Sequence, residues 1–130
     1  MKNFLFVSAE NDALANCKAG GMADVVRDVP RQIATTGDHV HVVVPAYNRL
    51  HKNGCLISEL KFNICGEATV ATIYEVAPKK KIEGITHYVI DHPEIVEGNI
   101  AHIYNDDPEE PFFTDAVKYF IFNTAVAQAV

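Results

Sequence analysis

The residues best suited to chemistry in this chain of 130 residues are gathered in one stretch, Lys18-Ala19-Gly20-Gly21-Met22-Ala23-Asp24-Val25-Val26. Two adjacent glycines carry no Cβ, so the backbone there can turn tightly and bring its N–H groups close to a ligand. The residues after them open a helix, whose first N–H groups lack internal partners and carry partial positive charge. Lys18 adds a full positive charge on a flexible stem. Glycine turn, lysine and helix N-terminus together describe a place for an anion, most simply a phosphate. A plainer alternative stays open, in which the glycine pair is a tight strand-to-helix connection and the lysine is solvated. The stretch fits neither G-x-x-x-x-G-K-[ST] nor G-x-G-x-x-G, which sets aside the P-loop and the dinucleotide fingerprint.

The elements that must position this stretch can be read on either side of it. Phe4 to Ser8 is a continuous apolar run of strand length, the pattern of a strand buried on both faces. Ala9 to Gly21 is a long loop of polar and small residues, placed where open α/β sheets bind ligands. Met22, Val25, Val26, Val29 and Ile33 recur at helical spacing to about Thr36, with Gly37 as the stop and Pro30 as an expected bend. His39 to Val44 reads as a second strand ended by Pro45. Strand, helix and strand in this order predict a parallel pair with a right-handed crossover.

Leu56 to Ile64, Ala68 to Val76 and Ile85 to Asp91 read as further strands. Gly66 and the stretch from Pro78 to Gly84 are the turns between them, an arrangement able to form antiparallel hairpins on the parallel core. Lys79-Lys80-Lys81 reads as a solvated hairpin tip. Glu94 to Pro111 is irregular, and its charged run from Asn105 to Glu110 reads as a solvated loop. A last helix begins near Thr114, the expected N-cap, with Ala116, Val117, Phe120, Ile121, Thr124 and Ala125 as its buried face. The predicted class is α/β, a Rossmann-like, mostly parallel sheet with flanking helices and an antiparallel hairpin extension.

Several segments, in order, resemble the start of bacterial glycogen synthases and plant starch synthases. Phe4-Leu5-Phe6-Val7-Ser8-Ala9-Glu10 is similar to their first strand with its Ser-Glu exit. Lys18-x-Gly20-Gly21-Met22-Ala23-Asp24-Val25 is similar to K-T-G-G-L-[AG]-D-V, and Val29-Pro30 to the nearby L-P. Val42-Val43-Val44-Pro45-Ala46-Tyr47 resembles V-x-x-P-x-[YF], and His87-Tyr88-Val89-Ile90-Asp91-His92-Pro93 resembles [VI]-Y-[FL]-[IL]-D-x-P. Ile103-Tyr104 and Phe113-Thr114-Asp115-Ala116-Val117-Lys118-Tyr119-Phe120 are similar to Y-x-D and D-N-x-x-R-F.

The resemblance implies the N-terminal part of a GT-B enzyme, with residues 1–130 an incomplete piece of the catalytic domain. It implies transfer of glucose from ADP-glucose to the non-reducing end of an α-1,4-glucan with retention of configuration, and no cofactor. Lys18, Gly20 and Gly21 would meet the donor diphosphate. Asp24 would order the loop or reach a sugar hydroxyl, and Tyr104 would offer an aromatic face to a glucose ring or pack as a loop tyrosine. The family's catalytic and leaving-group-stabilising residues, a histidine, an aspartate, an arginine, a lysine and a glutamate, have no counterpart before Val130, so no catalytic residue is expected here and the piece alone is expected to be inactive. Ala19 and Arg27 depart from the usual threonine and glycine. Two other readings are kept: a module that binds a nucleotide sugar or glucan without catalysis, and a piece that forms a homodimer through surface left exposed by truncation.

The totals narrow the classes further. Net charge is −6, and no basic stripe exists to neutralise nucleic-acid phosphates. No stretch approaches the 18 or so apolar residues of a membrane span, and no signal peptide is visible, so the expected compartment is the cytoplasm. Cys17, Cys55 and Cys65 are odd in number and lack C-x-x-C, which suggests neither a disulfide framework nor zinc; Cys17, beside the glycine stretch, could be a reactive thiol. The six histidines, His39 and His41 on one strand face among them, lack metal-ligand spacing, and no metal site is expected.

Overall fold

A computed structural model describes residues 1–110 and 113–130. Its elements are β1 (Asn3–Val7), α1 (Gly21–Ala34), β2 (His39–Pro45), β3 (Cys55–Ile64), β4 (Glu67–Val76), β5 (Ile85–Asp91) and α2 (Phe113–Ala129). The strands form one sheet in the order β1-β2-β5-β4-β3. β1, β2 and β5 are parallel, with Phe4 opposite Val40 and Val42 opposite His87. β4 and β3 extend the sheet antiparallel, as the hairpin pattern predicts.

Alternation along the strands sends successive side chains to opposite faces, and each face takes one helix. α1 lays Val26 on Val40 and Val42. α2 lays Ile121, Phe122, Ala125 and Val126 on Val43, Leu60, Ala71 and Ile90 from the other side. The β3–β4 turn is tight because Cys65 and Gly66 both take positive φ, 50° and 82°, with Ile64 paired to Glu67. That is the sense of turn that matches strand twist, and Gly66 takes it without strain.

Several expectations need correction. β1 is not buried on both faces: it is an edge strand, and Phe4, Leu5 and Val7 are 36%, 46% and 43% exposed because no described element covers them. α1 is turned from the expected stripe, burying Ala23, Val26 and Pro30 while Met22, Val25 and Val29 stay exposed. α2 likewise exposes Phe120 and buries Asp115 and Lys118. Apolar residues lie on every side of this helix, so their pattern does not declare its inner face, and Asp115 and Lys118 turn inward to polar partners. Thr114 is not the cap of α2; it lies in the first turn, where its N–H and hydroxyl donate to Asp107 at 3.0 Å each.

Asp107 thus belongs to the structure rather than to a solvated charge run, while Pro108 to Glu110 are exposed. Pro111, the end of the stretch expected to be irregular, lies outside the described residues. Lys79, Lys80 and Lys81 are exposed between the antiparallel β4 and β5, as a solvated tip requires. Lys79 in addition ties the tip down, its ammonium donating to Asp12 at 3.0 Å and its backbone N–H to Ala13 at 2.8 Å.

Candidate functional site

The loop after β1, the segment after Pro45 and the segment after β5 all meet at the carboxyl ends of the parallel strands, where open α/β sheets hold ligands. Asn11, fully buried, ties the first of these to the sheet. Its Nδ2 donates to His87 Nδ1 at 3.0 Å, and its Oδ1 accepts from Ala13 N at 2.9 Å. That pairing requires His87 Nδ1 to be unprotonated, so the ring is the Nε2–H tautomer. Burial, with a smaller contribution from Arg31, lowers the His87 pKa to about 4 and keeps the ring neutral.

Above this base the loop carries the expected anion residues. Lys18 Nζ donates to Asp24 Oδ1 at 2.8 Å, and this pair raises the lysine pKa. Asp24 lies in the first turn of α1, with Arg27 3.4 Å away. Arg27 reaches back to Asp12, so the departure from glycine at 27 creates an ion pair between helix and loop. Gly20 is the N-cap of α1 in extended conformation, φ −153°, with no side-chain cap bond.

The turn itself does not require either glycine. Neither takes positive φ, and a Cβ on either would meet no atom within 4 Å. The space in front of both residues is open, room that an approaching ligand could use.

The surprise lies beneath the loop. Glu10, 3% exposed, accepts from Ala19 N at 2.7 Å and Gly20 N at 2.8 Å through Oε1, and from the Tyr104 hydroxyl at 2.5 Å through Oε2. Burial works against its charge, but Tyr104, the two amides and Lys18 outweigh it and hold the carboxyl below its usual range. The Gly20 amide expected to meet a phosphate is therefore already taken. The next two amides, of Gly21 and Met22, have no acceptor among the described residues.

Tyr104 lies against the loop, half-buried, with its hydroxyl committed to Glu10 and its ring 6.3 Å from that of Tyr119. The segment carrying it is clamped to α2. Lys118, wholly buried, donates to the carbonyls of Ile103 at 2.6 Å and Val96 at 3.2 Å and to Asn105 Oδ1 at 2.8 Å. It also lies 3.0 Å from Asp115, which accepts the Asn105 N–H on both oxygens. Burial lowers the Lys118 pKa and Asp115 pulls it back. Its ammonium stands over the Tyr47 and Tyr119 rings at 5.2 and 5.4 Å, a cation–π arrangement. Tyr47, buried with φ 51°, donates to Ala9 O at 2.6 Å and so braces the loop from β2.

Sequence reasoning missed Glu10, Asn11 and Lys118 as parts of the site. Glu10 and Lys118 did stand in recognisable segments, Ser8-Ala9-Glu10 and Asp115-x-x-Lys118; Asn11 gave no signal. The reactive reading of Cys17 is overturned: it is 1% exposed, and burial pushes its thiol up to about 11. Among the described residues no group of three His, Cys, Asp or Glu could hold a metal. His39 bonds to Thr86 at 2.9 Å and His92 to Thr69 at 2.7 Å. No described helix is long and apolar enough to cross a membrane.

The sequence profile of the starch synthase catalytic domain matches residues 3–130. Among curated proteins, the glycogen synthase of Exiguobacterium sibiricum is 29% identical over 115 residues, 87% of this chain and 24% of that enzyme. A glycogen synthase of Streptococcus pneumoniae is 28% identical over 97% of this chain and 24% of its own length. One from Clostridium botulinum is 30% identical over 87% of this chain and 23% of its own length. The chain thus spans about a quarter of the length of the curated relatives it matches.

Proposed function

Because the chain belongs to the starch synthase catalytic domain family, we propose that it forms the N-terminal part of a retaining glucosyltransferase. The enzyme moves glucose from ADP-glucose to the non-reducing end of an α-1,4-glucan, in the cytoplasm. In this reading residues 1–130 are an incomplete domain. They supply one wall of the donor site and none of the catalytic groups.

The observation that carries the reading is the loop itself: Lys18 and the open amides of Gly21 and Met22 stand together at the carboxyl ends of parallel strands. Lys18 and Asp24 are 45% and 37% exposed, and an exposed pair of this kind contributes little, so the lysine can exchange Asp24 for a diphosphate oxygen. Arg27 and the helix position keep Asp24 at hand to order the loop or meet a sugar hydroxyl. Stabilisation of the departing ADP would come from positive groups and helix ends. This chain offers one such lysine and one such end, so it does not transfer glucose alone.

Calorimetric titration of the chain with ADP-glucose and with ADP, beside Lys18→Ala, tests this. Weak binding that the variant loses is the expected result. Equal binding by both proteins would remove Lys18 from the donor site.

A further inference from the structure

A buried carboxylate directly under amides suited to an anion is not used by the donor-site reading. Glu10 is the acceptor for both the Ala19 and Gly20 N–H groups, and its second oxygen is held by Tyr104. Neither Ala19 nor Gly20 has a side chain long enough to anchor itself, and a Cβ at Gly20 would touch nothing. The tip of the loop is therefore fixed from below.

Tyr104 is fixed in turn. Its carbonyl lies 2.0 Å from where a Cβ on Gly98 would stand, so only glycine permits that approach. The Ile100 N–H donates to the same carbonyl at 2.9 Å. On either side of it, Ile103 O and Asn105 Oδ1 are held by Lys118. A line of contacts runs from α2, through residues 103–105 and the Tyr104 hydroxyl, to Glu10 and the loop amides.

The geometry points to Glu10 and Tyr104 as positioning residues of the donor site, a strut that sets the Ala19 and Gly20 peptides so that Lys18 and the amides of Gly21 and Met22 face an incoming diphosphate. This rests on the donor-site reading above. The loop needs two acceptor lone pairs and a link to Tyr104 from residue 10; it does not need the negative charge, which opposes a phosphate. Gln at 10 supplies the same acceptor to both amides and can donate Nε2–H to the Tyr104 oxygen, whereas Ala supplies nothing.

The test uses the chain of 130 residues with inorganic pyrophosphate as the probe, by calorimetry, beside amide hydrogen exchange at Ala19 and Gly20. Glu10→Ala is expected to speed exchange of both amides and to weaken pyrophosphate binding, each by about tenfold, the equivalent of one net hydrogen bond to a charged group. Glu10→Gln is expected to restore both to within about threefold, and Tyr104→Phe to fall between them. Should Glu10→Ala not fold, Tyr104→Phe against the unchanged chain decides the matter alone. Unchanged exchange and affinity in Glu10→Ala, or an equal loss in Glu10→Gln, would overturn the strut. If the unchanged chain binds no pyrophosphate, the donor-site reading fails instead, and the exchange series still judges the strut.

Discussion

On its inner side the loop between β1 and α1 presents Glu10 and Asn11, 3% and 0% exposed, each holding partners on distant segments. On its outer side Lys18 and Ala19, with Gly21 at the start of α1, are exposed, and the ion pair of Lys18 with Asp24 faces solvent. The two sides are a few residues apart in sequence and obey different physics. Inside, an unpaired polar atom is expensive, so partners are exclusive and geometry is fixed. Outside, water competes for every contact, so partners exchange freely. The division assigns shape to the inner residues and binding to the outer ones.

Lys118→Met should test the division hardest. It leaves Asp115 buried without its cation and two carbonyls without a donor, and breaking a buried pair of this kind costs about 4 kcal/mol. That is a large share of the stability of a domain of this size. Urea denaturation should show it as a lower midpoint with little change in slope, and an unshifted midpoint would mean that the clamp on Tyr104 is idle.

Acid should act on the inner side next. The folded pKa of His87 is near 4, below the ordinary 6.5, so the unfolded chain takes up its proton first as pH falls. The contribution is complete above pH 6.5 and is lost progressively from there to about pH 4, amounting to about 3 kcal/mol across the window. Stability curves at stepped pH should show a fall through this range that is reduced in His87→Gln. Parallel curves for the two proteins would contradict the neutral, buried imidazole.

Asn11→Ala should follow, at about 2 kcal/mol, because it strands the Ala13 N–H and the His87 nitrogen together. Lys18→Ala marks the other end of the scale. Its thermal midpoint should match that of the unchanged chain, while affinity for ADP-glucose falls about tenfold or more. A destabilised Lys18→Ala protein would erase the distinction between the two sides.

Much of the frame can be read directly from residue types. Val40 to Val44 and Ile85 to Asp91 have the β-branched density of inner parallel strands, and Gly66 marks its turn without ambiguity. Lys18, Gly20, Gly21, Asp24 and Tyr104 do come together around one loop. What could not be read is which groups hold that loop, because pairing is not written in local pattern. Glu10 meets residues 9, 10 and 94 positions away, and nothing near Lys118 says that a lysine will be buried over two tyrosine rings. Strand β1 misleads for a related reason: an apolar run states what a strand would bury, not whether its neighbours are present to cover it.

The two-residue turn at Cys65 and Gly66 has a consequence in time rather than in space. A hairpin closed by such a turn forms within microseconds, from residues adjacent in the chain. β2 and β5, by contrast, must find each other across the whole hairpin, and such long-range parallel pairing is slow. β3 and β4 should thus stand as a finished ribbon before the parallel strands assemble, giving β5 a ready edge on which to align. Gly66→Ala, strained at φ 82°, should delay folding more than it hastens unfolding. Of the described strands β1 is made before the others, yet it must wait for β2 before it has a partner among them.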